Sequence, residues 1–366
     1  MSDEDDSNQR QYAVECVKAI STRPDCVIAT VRQLHKICKS LTKSSAKGNG
    51  NADKNVLSEL NRKHKIMKII SFSLLQCHQT AVQKAEKSGS ILKPETVVND
   101  GYCHSDSVTS HLDLMKFLLK DGGLYLSWYR CNEVWNTLVD NNNAIYFDKN
   151  ICFKWFRKCL TGMDSQTKHM VFEQKLLKFS PSETSHQSFK CFKAYFECIN
   201  LDVGYLENND TSFNVIPNIE VIGMSYLWNI IIECRKDNIA NEAIEYLLNM
   251  SFWHISPKLI KEAMKLHKRF IQTYLATLKT VSNAALPETG SDQGAATHWK
   301  RRAAMDTTLS DAETGSSRTG TSISISYSSF LFIIDANKIS TLNFQTDILP
   351  YSKQETTQHY QKQQMA

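Results

Sequence analysis

Apolar residues recur at intervals of three and four along most of this chain, and that spacing restricts its fold more than any other feature. Between Val27 and Leu41 the apolar positions follow steps of four, three, four and three, which place them on one face of a helix. Similar patterns follow in segments of helical length, and strand-like alternation is nearly absent before Ser322. Because an amphipathic helix must bury its apolar stripe, the sequence favours helices packed on helices.

The predicted helices follow one another with short breaks. They cover about Val27 to Leu41, Val56 to Lys87, His111 to Lys120, Cys131 to Val139, Lys149 to Leu160, Gln166 to Phe179, Ser185 to Ile199, Ile219 to Cys234, Ile239 to Met250 and Pro257 to Val281. Glu59 and Lys63 form a supporting i,i+4 pair in the second helix. Polar segments near 43–54 and 89–107 are predicted to be loops.

These helices predict an all-α fold, an irregular armadillo- or HEAT-like solenoid with disordered termini. No clean 40-residue self-match is present, so an irregular globular helical domain is the alternative. Residues 24–285 should be almost entirely helical.

Composition divides the chain into four regions. The acidic segment 1–20 is predicted to be disordered, and residues 21–285 form the armadillo-like helical domain. Residues 286–322, rich in Gly, Ser, Thr, Ala and Asp, are predicted to be a disordered linker. Residues 323–366 form a disordered or atypical tail with an apolar β-forming segment. Deleting that tail is expected to leave the melting temperature unchanged and to improve solubility.

Charge and cysteine usage restrict the partners and the location. The net charge of +5 comes from dispersed residues, so neither nucleic acid nor a membrane is expected as a partner. The acidic start is unlike a secretory signal, and no apolar run is long enough to span a membrane. The eleven cysteines are an odd number without framework spacing. We expect reduced thiols in the cytoplasm, with the nucleus as a second location.

The cysteines and histidines do not follow metal-site spacing. No C-x2-C pair is present, and the pairs Cys152/Cys159 and Cys191/Cys198 are each two helical turns apart, which predicts core packing. Two Cys-His dipeptides, at 77–78 and 103–104, lack companion ligands nearby in the sequence. The sequence therefore predicts no metal and no cofactor.

No catalytic motif is found. The chain has no G-x-S-x-G elbow, no phosphate-binding glycine loop and no cysteine in a glycine-rich loop that enters a helix. We predict no catalytic residue and assign no binding residue. The alternative is a cysteine peptidase with an unrecognised Cys/His pair, which a thiol-reactive ubiquitin probe would label.

The aromatic residues are predicted to be core anchors. The tryptophans in question are Trp135, Trp155 and Trp228, and the phenylalanine stripe consists of Phe189, Phe192 and Phe196 at intervals of three and four. Base stacking is the alternative, and with the lysine face of the last predicted helix it would describe a nucleic-acid-binding helical repeat. Such a protein would lose affinity steeply with salt.

Several separated sequence signatures carry a family resemblance over about residues 110–285. They are Leu124-Tyr125-Leu126-Ser127-Trp128, Cys152-Phe153-Lys154-Trp155-Phe156, Lys175-Leu176-Leu177-Lys178, Ile222-Gly223-Met224-Ser225-Tyr226-Leu227-Trp228 and His267-Lys268-Arg269-Phe270-Ile271. In this order they resemble the armadillo-type helical region that precedes the protease domain in large fat-facets-type ubiquitin-specific proteases. The resemblance implies a helical scaffold from a family of cysteine-type deubiquitinases.

The catalytic boxes of that family are not in this sequence. Cys103 and His359 lack the surrounding G-x-x-N-x-G-N-T-C and G-H-Y patterns, so no catalytic residue is carried over. The resemblance implies protein partners or ubiquitinated substrates, and we expect a non-catalytic interaction region that is a fragment or truncated isoform. A stand-alone helical-repeat adaptor is the alternative.

Overall fold

The computed structural model describes residues 3–23, 26–45, 53–99, 101–208, 214–215 and 221–250, together with positions 265, 268, 272 and 276. The chain divides into two units, Met1–Asn283 and Ala284–Ala366, and all described residues belong to the first. The predicted linker and tail lie outside the described residues, as does most of the predicted helix from Pro257 to Val281.

The described residues contain eleven α-helices and two small β-ribbons, with short 3-10 helices between some of the α-helices. The helices are α1 Asp3–Thr22, α2 Val27–Ser45, α3 Asp53–His64, α4 Ile66–Lys87, α5 His104–Lys120, α6 Trp128–Leu138, α7 Tyr146–Cys159, α8 Ser165–Gln174, α9 His186–Asp202, α10 Met224–Glu233 and α11 Asp237–Leu248. The strands are β1 Val97–Asn99, β2 Tyr102–Cys103, β3 Glu207–Asn208 and β4 Asn214–Val215, paired antiparallel as β1 with β2 and β3 with β4.

Each helix packs mainly on helices that are close to it in the sequence. The main pairs are α1 with α2, α2 with α5, α4 with α5 and α6, α7 with α5 and α9, and α10 with α11. Such neighbour-to-neighbour packing is the characteristic of a helical solenoid. The prediction of an all-α, irregular armadillo-like solenoid is confirmed.

The predicted apolar stripes and aromatic anchors form the core. All five stripe positions of α2 are buried, from Val27 to Leu41. The exposed fractions of the three tryptophans are 1% for Trp135, 4% for Trp155 and 8% for Trp228. The phenylalanine stripe of α9 is also buried and stacks within itself and on Phe172. The core interpretation of these residues is confirmed.

The prediction of a disordered N-terminus over residues 1–20 is wrong, because α1 occupies Asp3–Thr22. Ala13, Val17 and Ile20 are buried at helical spacing, and the helix packs on α2 and α4. The acidic, polar start of this segment hid a short apolar stripe. Three buried positions are enough when two neighbouring helices supply the surface that covers them.

The single helix predicted from Val56 to Lys87 is two helices, with a break at Lys65. Lys65 has a left-handed backbone, with φ 51° and ψ 45°. The Asn61 side chain stabilises the break, because its Oδ1 accepts a hydrogen bond of 3.1 Å from the backbone N–H of Met67. The predicted ion pair between Glu59 and Lys63 is present, at 2.6 Å.

Replacing Lys65 with glycine should stabilise the protein by about 1 kcal/mol. Glycine adopts a left-handed backbone without the steric cost that a Cβ imposes, although it adds some unfolded-state entropy. We expect a rise in melting temperature of roughly 2–4 °C, measured by circular dichroism. Lys65→Ala is the matched control, because alanine keeps the Cβ and should give no rise. An equal rise for both variants would contradict the backbone explanation.

The two predicted loops are shorter than expected. Helix α2 extends to Ser45 and α3 begins at Asp53, so the ends of the predicted 43–54 loop are helical. In the predicted 89–107 loop, β1 and β2 form a hairpin and α5 begins at His104 instead of His111. The buried side chain of Val98 packs with Ile28 and neighbouring apolar residues.

The segment before α10 is held by one buried amide side chain. Asn200 accepts a hydrogen bond of 2.8 Å from the backbone N–H of Ile222 and donates one of 3.0 Å to its carbonyl. The next residue, Gly223, has φ 90°, and a Cβ there would lie 2.8 Å from Phe172. The position therefore needs glycine for both backbone and space.

None of the helices in the described part of the chain is long and apolar enough to cross a membrane.

Candidate functional site

Three helices bring two histidines and one aspartate together in the interior of the protein. His78 lies in the middle of α4, His104 is the first residue of α5, and Asp148 is in the first turn of α7. All three side chains are fully buried, with 0% exposure. We call these residues the His-Asp cluster. Buried charged side chains are rare unless they are paired, so the cluster is the first place to look for a specific role.

The carboxylate of Asp148 presents one oxygen to each histidine. Its Oδ2 lies 3.2 Å from Nε2 of His78, and its Oδ1 lies 2.6 Å from Nε2 of His104. Oδ2 also accepts a hydrogen bond of 3.2 Å from the backbone N–H of Ile145, at the start of α7. The two imidazole rings meet edge to face, with centroids 5.3 Å apart.

Asp148 is ionised in the folded protein. Burial by itself raises the pKa of this carboxyl, but the hydrogen bonds from His104 and His78 outweigh burial and hold the pKa below its usual range. The start of α7 adds a favourable helix dipole, because Asp148 lies in its first turn. The carboxylate therefore accepts hydrogen bonds, and each Nε2–H donates.

The other nitrogen of each ring has no partner. Nδ1 of His78 and Nδ1 of His104 are buried without a hydrogen bond among the described residues. A buried polar atom without a partner costs about 1–3 kcal/mol. Two such atoms in one cluster are an unusual energetic cost for an arrangement that serves packing alone.

The cluster was missed in the sequence because its members are far apart along the chain. Along the sequence the dipeptides Cys77-His78 and Cys103-His104 lack companion ligands, but the fold makes each histidine the companion of the other. The hydrogen bonds span 70 residues from His78 to Asp148 and 44 from His104 to Asp148. A usable signal was Asp148 three residues after Ile145, where a helix N-terminus favours an acidic side chain.

A second buried histidine, His111, lies about two helical turns after His104 along α5. Nδ1 of His111 lies 2.7 Å from the carbonyl of Ser107, and Nε2 lies 2.9 Å from Oγ of Ser73. The carbonyl can only accept, so Nδ1 carries the proton and Nε2 accepts from the serine hydroxyl. Both ring nitrogens of His111 are thus satisfied in the neutral form.

His111 should make the protein less stable at acid pH. Burial lowers the pKa of His111 from 6.5 to about 4, against a smaller opposite effect of the hydrogen bond to Ser107. Between these pH values the unfolded chain binds a proton that the folded chain excludes, so the free energy of unfolding falls as pH falls. The full loss from this residue is roughly 3 kcal/mol.

The measurement is denaturant unfolding of the wild type and of His111→Gln at pH 7 and at pH 4. The wild type should lose roughly 3 kcal/mol more than the variant between the two pH values. The titration of Asp148 is common to both proteins and cancels in the comparison. An identical pH dependence for the two proteins would show that His111 is not the residue responsible.

Eight of the eleven thiols are poorly suited to nucleophilic catalysis. Burial is the first cause that raises the pKa of eight thiols, namely Cys16, Cys38, Cys77, Cys131, Cys152, Cys159, Cys191 and Cys198. The pKa values of Cys38 and Cys159 rise to about 12. A thiol that keeps its proton at neutral pH is a weak nucleophile.

Three of the four cysteines in the pairs Cys152/Cys159 and Cys191/Cys198 match the predicted core packing. Cys152, Cys159 and Cys191 are buried as predicted, whereas Cys198 is partly exposed. Cys103, which is also partly exposed, donates its S–H to Oδ2 of Asp106 at 2.9 Å. Its partner is an acid and not a histidine, so Cys103 and His104 do not form a nucleophile and base pair.

The succession of amphipathic helices, each packed on its neighbours around an aromatic core, defines an all-α protein of the armadillo class. Residues 1–200 match the family model described as the UBP24/USP9X/USP9Y ARM repeat. The chain belongs to this family. The resemblance inferred from residues 110–285 is therefore confirmed, and the match extends back through α1.

The similar proteins are large ubiquitin carboxyl-terminal hydrolases. Ubiquitin carboxyl-terminal hydrolase 24 of Homo sapiens is 33% identical over 258 residues, which are 70% of this chain and 10% of the relative. Ubiquitin carboxyl-terminal hydrolase 9X of Mus musculus is 26% identical over 290 residues, 76% of this chain and 11% of the relative. The probable ubiquitin carboxyl-terminal hydrolase FAF of Drosophila melanogaster is 24% identical over 287 residues. The chain spans about a tenth of the length of these curated relatives.

Proposed function

We propose that this chain is a non-catalytic scaffold that binds protein partners or ubiquitinated substrates in the deubiquitination pathway. The observation that carries the proposal is the match of residues 1–200 to the ARM repeat of ubiquitin-specific proteases. Helical repeats of this kind present extended surfaces on which other proteins bind. The raised pKa values of the buried thiols also favour binding over catalysis.

The first test separates a scaffold from a cysteine peptidase. The full chain is incubated with ubiquitin that carries a thiol-reactive group at its C-terminus, beside an active cysteine deubiquitinase as the positive control. We expect no covalent adduct on this chain. An adduct that mass spectrometry places on any one cysteine, and that the corresponding Cys→Ser variant removes, would overturn the non-catalytic assignment.

The second test measures the scaffold role directly. In ubiquitin carboxyl-terminal hydrolase 24, the matching region is deleted and then replaced by this chain. Deletion should leave cleavage of a small fluorogenic ubiquitin substrate unchanged and should slow removal of ubiquitin from protein substrates. The chimera should restore the rate at which ubiquitin is removed from protein substrates. If deletion changes neither reaction, the region is not a substrate scaffold.

Variants of this chain provide the matched controls for that chimera. Trp155→Ala removes a core anchor and should behave like the deletion, because the region must fold in order to bind. Lys65→Gly changes only the break between α3 and α4 and should behave like the unaltered chimera. Equal behaviour of the two variants would mean that folding of this region does not matter for the reaction.

A further inference from the structure

The His-Asp cluster has the donor atoms of a metal site. We propose that His78, His104 and Asp148 hold one zinc ion, which connects α4, α5 and α7 in the interior of the solenoid. The proposal replaces the expectation, drawn from sequence spacing, that no metal binds. It is independent of the scaffold function and stands or falls on the cluster alone.

The chemistry of the donors selects zinc among the common metal ions. The cluster offers two imidazole nitrogens and a carboxylate, which are regular zinc ligands. Calcium and magnesium require six or more oxygen ligands and would leave the imidazoles unused. Two histidines with one carboxylate also bind iron(II) in oxygenases, but those sites keep coordination positions open to substrate. Full burial of all three side chains is unlike a site open to substrate and favours an ion with a structural role.

The geometry is close to that of a four-coordinate site. Zinc at about 2.1 Å from its ligands places tetrahedral ligand atoms about 3.4 Å apart. The 3.2 Å separation of His78 and Asp148 already fits, and the 2.6 Å separation of His104 and Asp148 must lengthen slightly. One ligand atom from each of the three residues lies within 4.8 Å of the others. The three side chains supply three ligand atoms, and a water molecule would complete the tetrahedron.

Charge also favours a cation in the cluster. The cluster holds one carboxyl group and two imidazole rings in a fully buried position. Hydrogen bonds to the carboxylate recover only part of the cost of burying these groups. A divalent cation between the three side chains would replace these hydrogen bonds with coordinate bonds and would favour the charged form of the carboxyl group.

The experiment uses the full 366-residue chain, with elemental analysis of the purified protein and a melting curve before and after treatment with a chelator. We expect about one zinc per chain, and a lower melting temperature once zinc has been removed. Adding zinc to ~100-fold above its dissociation constant should raise the melting temperature by about 5–10 °C. Cobalt(II) in place of zinc should give the visible absorption of a tetrahedral nitrogen- and oxygen-ligated ion.

Variants assign the ion to the cluster. His104→Gln and Asp148→Asn should each weaken zinc binding by more than about 100-fold, because removing a ligand costs more than disturbing its surroundings. His111→Gln is the matched control, since His111 is equally buried on the same helix but lies outside the cluster. It should bind zinc as the wild type does.

Four results would overturn the proposal. They are a wild-type protein that contains no zinc and does not respond to it, iron in place of zinc, cobalt bands typical of sulfur ligands, and undiminished zinc binding by His104→Gln. The wild-type measurements decide the question even if His104→Gln does not fold. In that case the elemental analysis and the cobalt spectrum stand on the unaltered chain.

Discussion

Replacing Trp155 with alanine should lower the free energy of unfolding by roughly 3–5 kcal/mol. The indole is 4% exposed and packs edge to face on Phe156, with ring centroids 5.0 Å apart. Its Nε1–H also donates a hydrogen bond of 2.8 Å to the carbonyl of Leu112, which connects α7 to α5. The substitution therefore leaves a cavity and removes the hydrogen bond between α7 and α5.

Chemical denaturation of the full chain measures the effect, and two further variants separate its causes. Trp155→Phe keeps most of the apolar volume and removes the donor, so it should cost only about 1–2 kcal/mol from the lost hydrogen bond. Tyr129→Ala is the surface control, because its ring is 62% exposed and the change should stay within ~0.5 kcal/mol. An unchanged stability for Trp155→Ala would show that the indole is not a core anchor.

The second large effect is expected at Asp148, where alanine should cost roughly 3–5 kcal/mol. The substitution removes the acceptor for His78, His104 and the backbone N–H of Ile145 in one step. Two buried imidazole donors and one partly buried backbone N–H then lack their acceptor. The melting temperature should fall by about 10 °C.

Asp113 is the matched control for Asp148. It is also an aspartate on a central helix, but its ion pair with Lys116 at 2.9 Å is half exposed. An exposed pair of this kind contributes little, so Asp113→Ala should change stability by less than ~1 kcal/mol. If both variants lose the same amount, burial of the cluster is not the cause of the effect.

The helices could be predicted because their signal is local. An apolar stripe such as Val27 to Leu41 is set by residues three and four apart. Each helix can therefore be recognised from its own segment of the sequence. The break at Lys65 had no such signal, since lysine is a good helix former and only the packing of α3 and α4 demands a turn there. The β1–β2 hairpin had a weak sequence signal, because the turn-forming pair Asp100-Gly101 closely follows two valines.

The candidate site could not be predicted because it depends on how three helices meet. Nothing near His78 in the sequence shows that His104 and Asp148 will face it, since those relations follow from packing between α4, α5 and α7. Residue types and sequence neighbours therefore do not show that the histidines of the two Cys-His dipeptides belong to one cluster. In each dipeptide the histidine belongs to the cluster, whereas the thiols of Cys77 and Cys103 hydrogen-bond elsewhere.

The buried thiols of the core are also natural probes of local unfolding. Cys38, Cys77, Cys131, Cys152 and Cys191 lie in five different helices and are shielded from solvent. An alkylating reagent can reach each one only when its helix opens, so the rate of modification reports local unfolding of that helix. Comparing the five rates would rank the local stability of successive parts of the solenoid without any engineered cysteine.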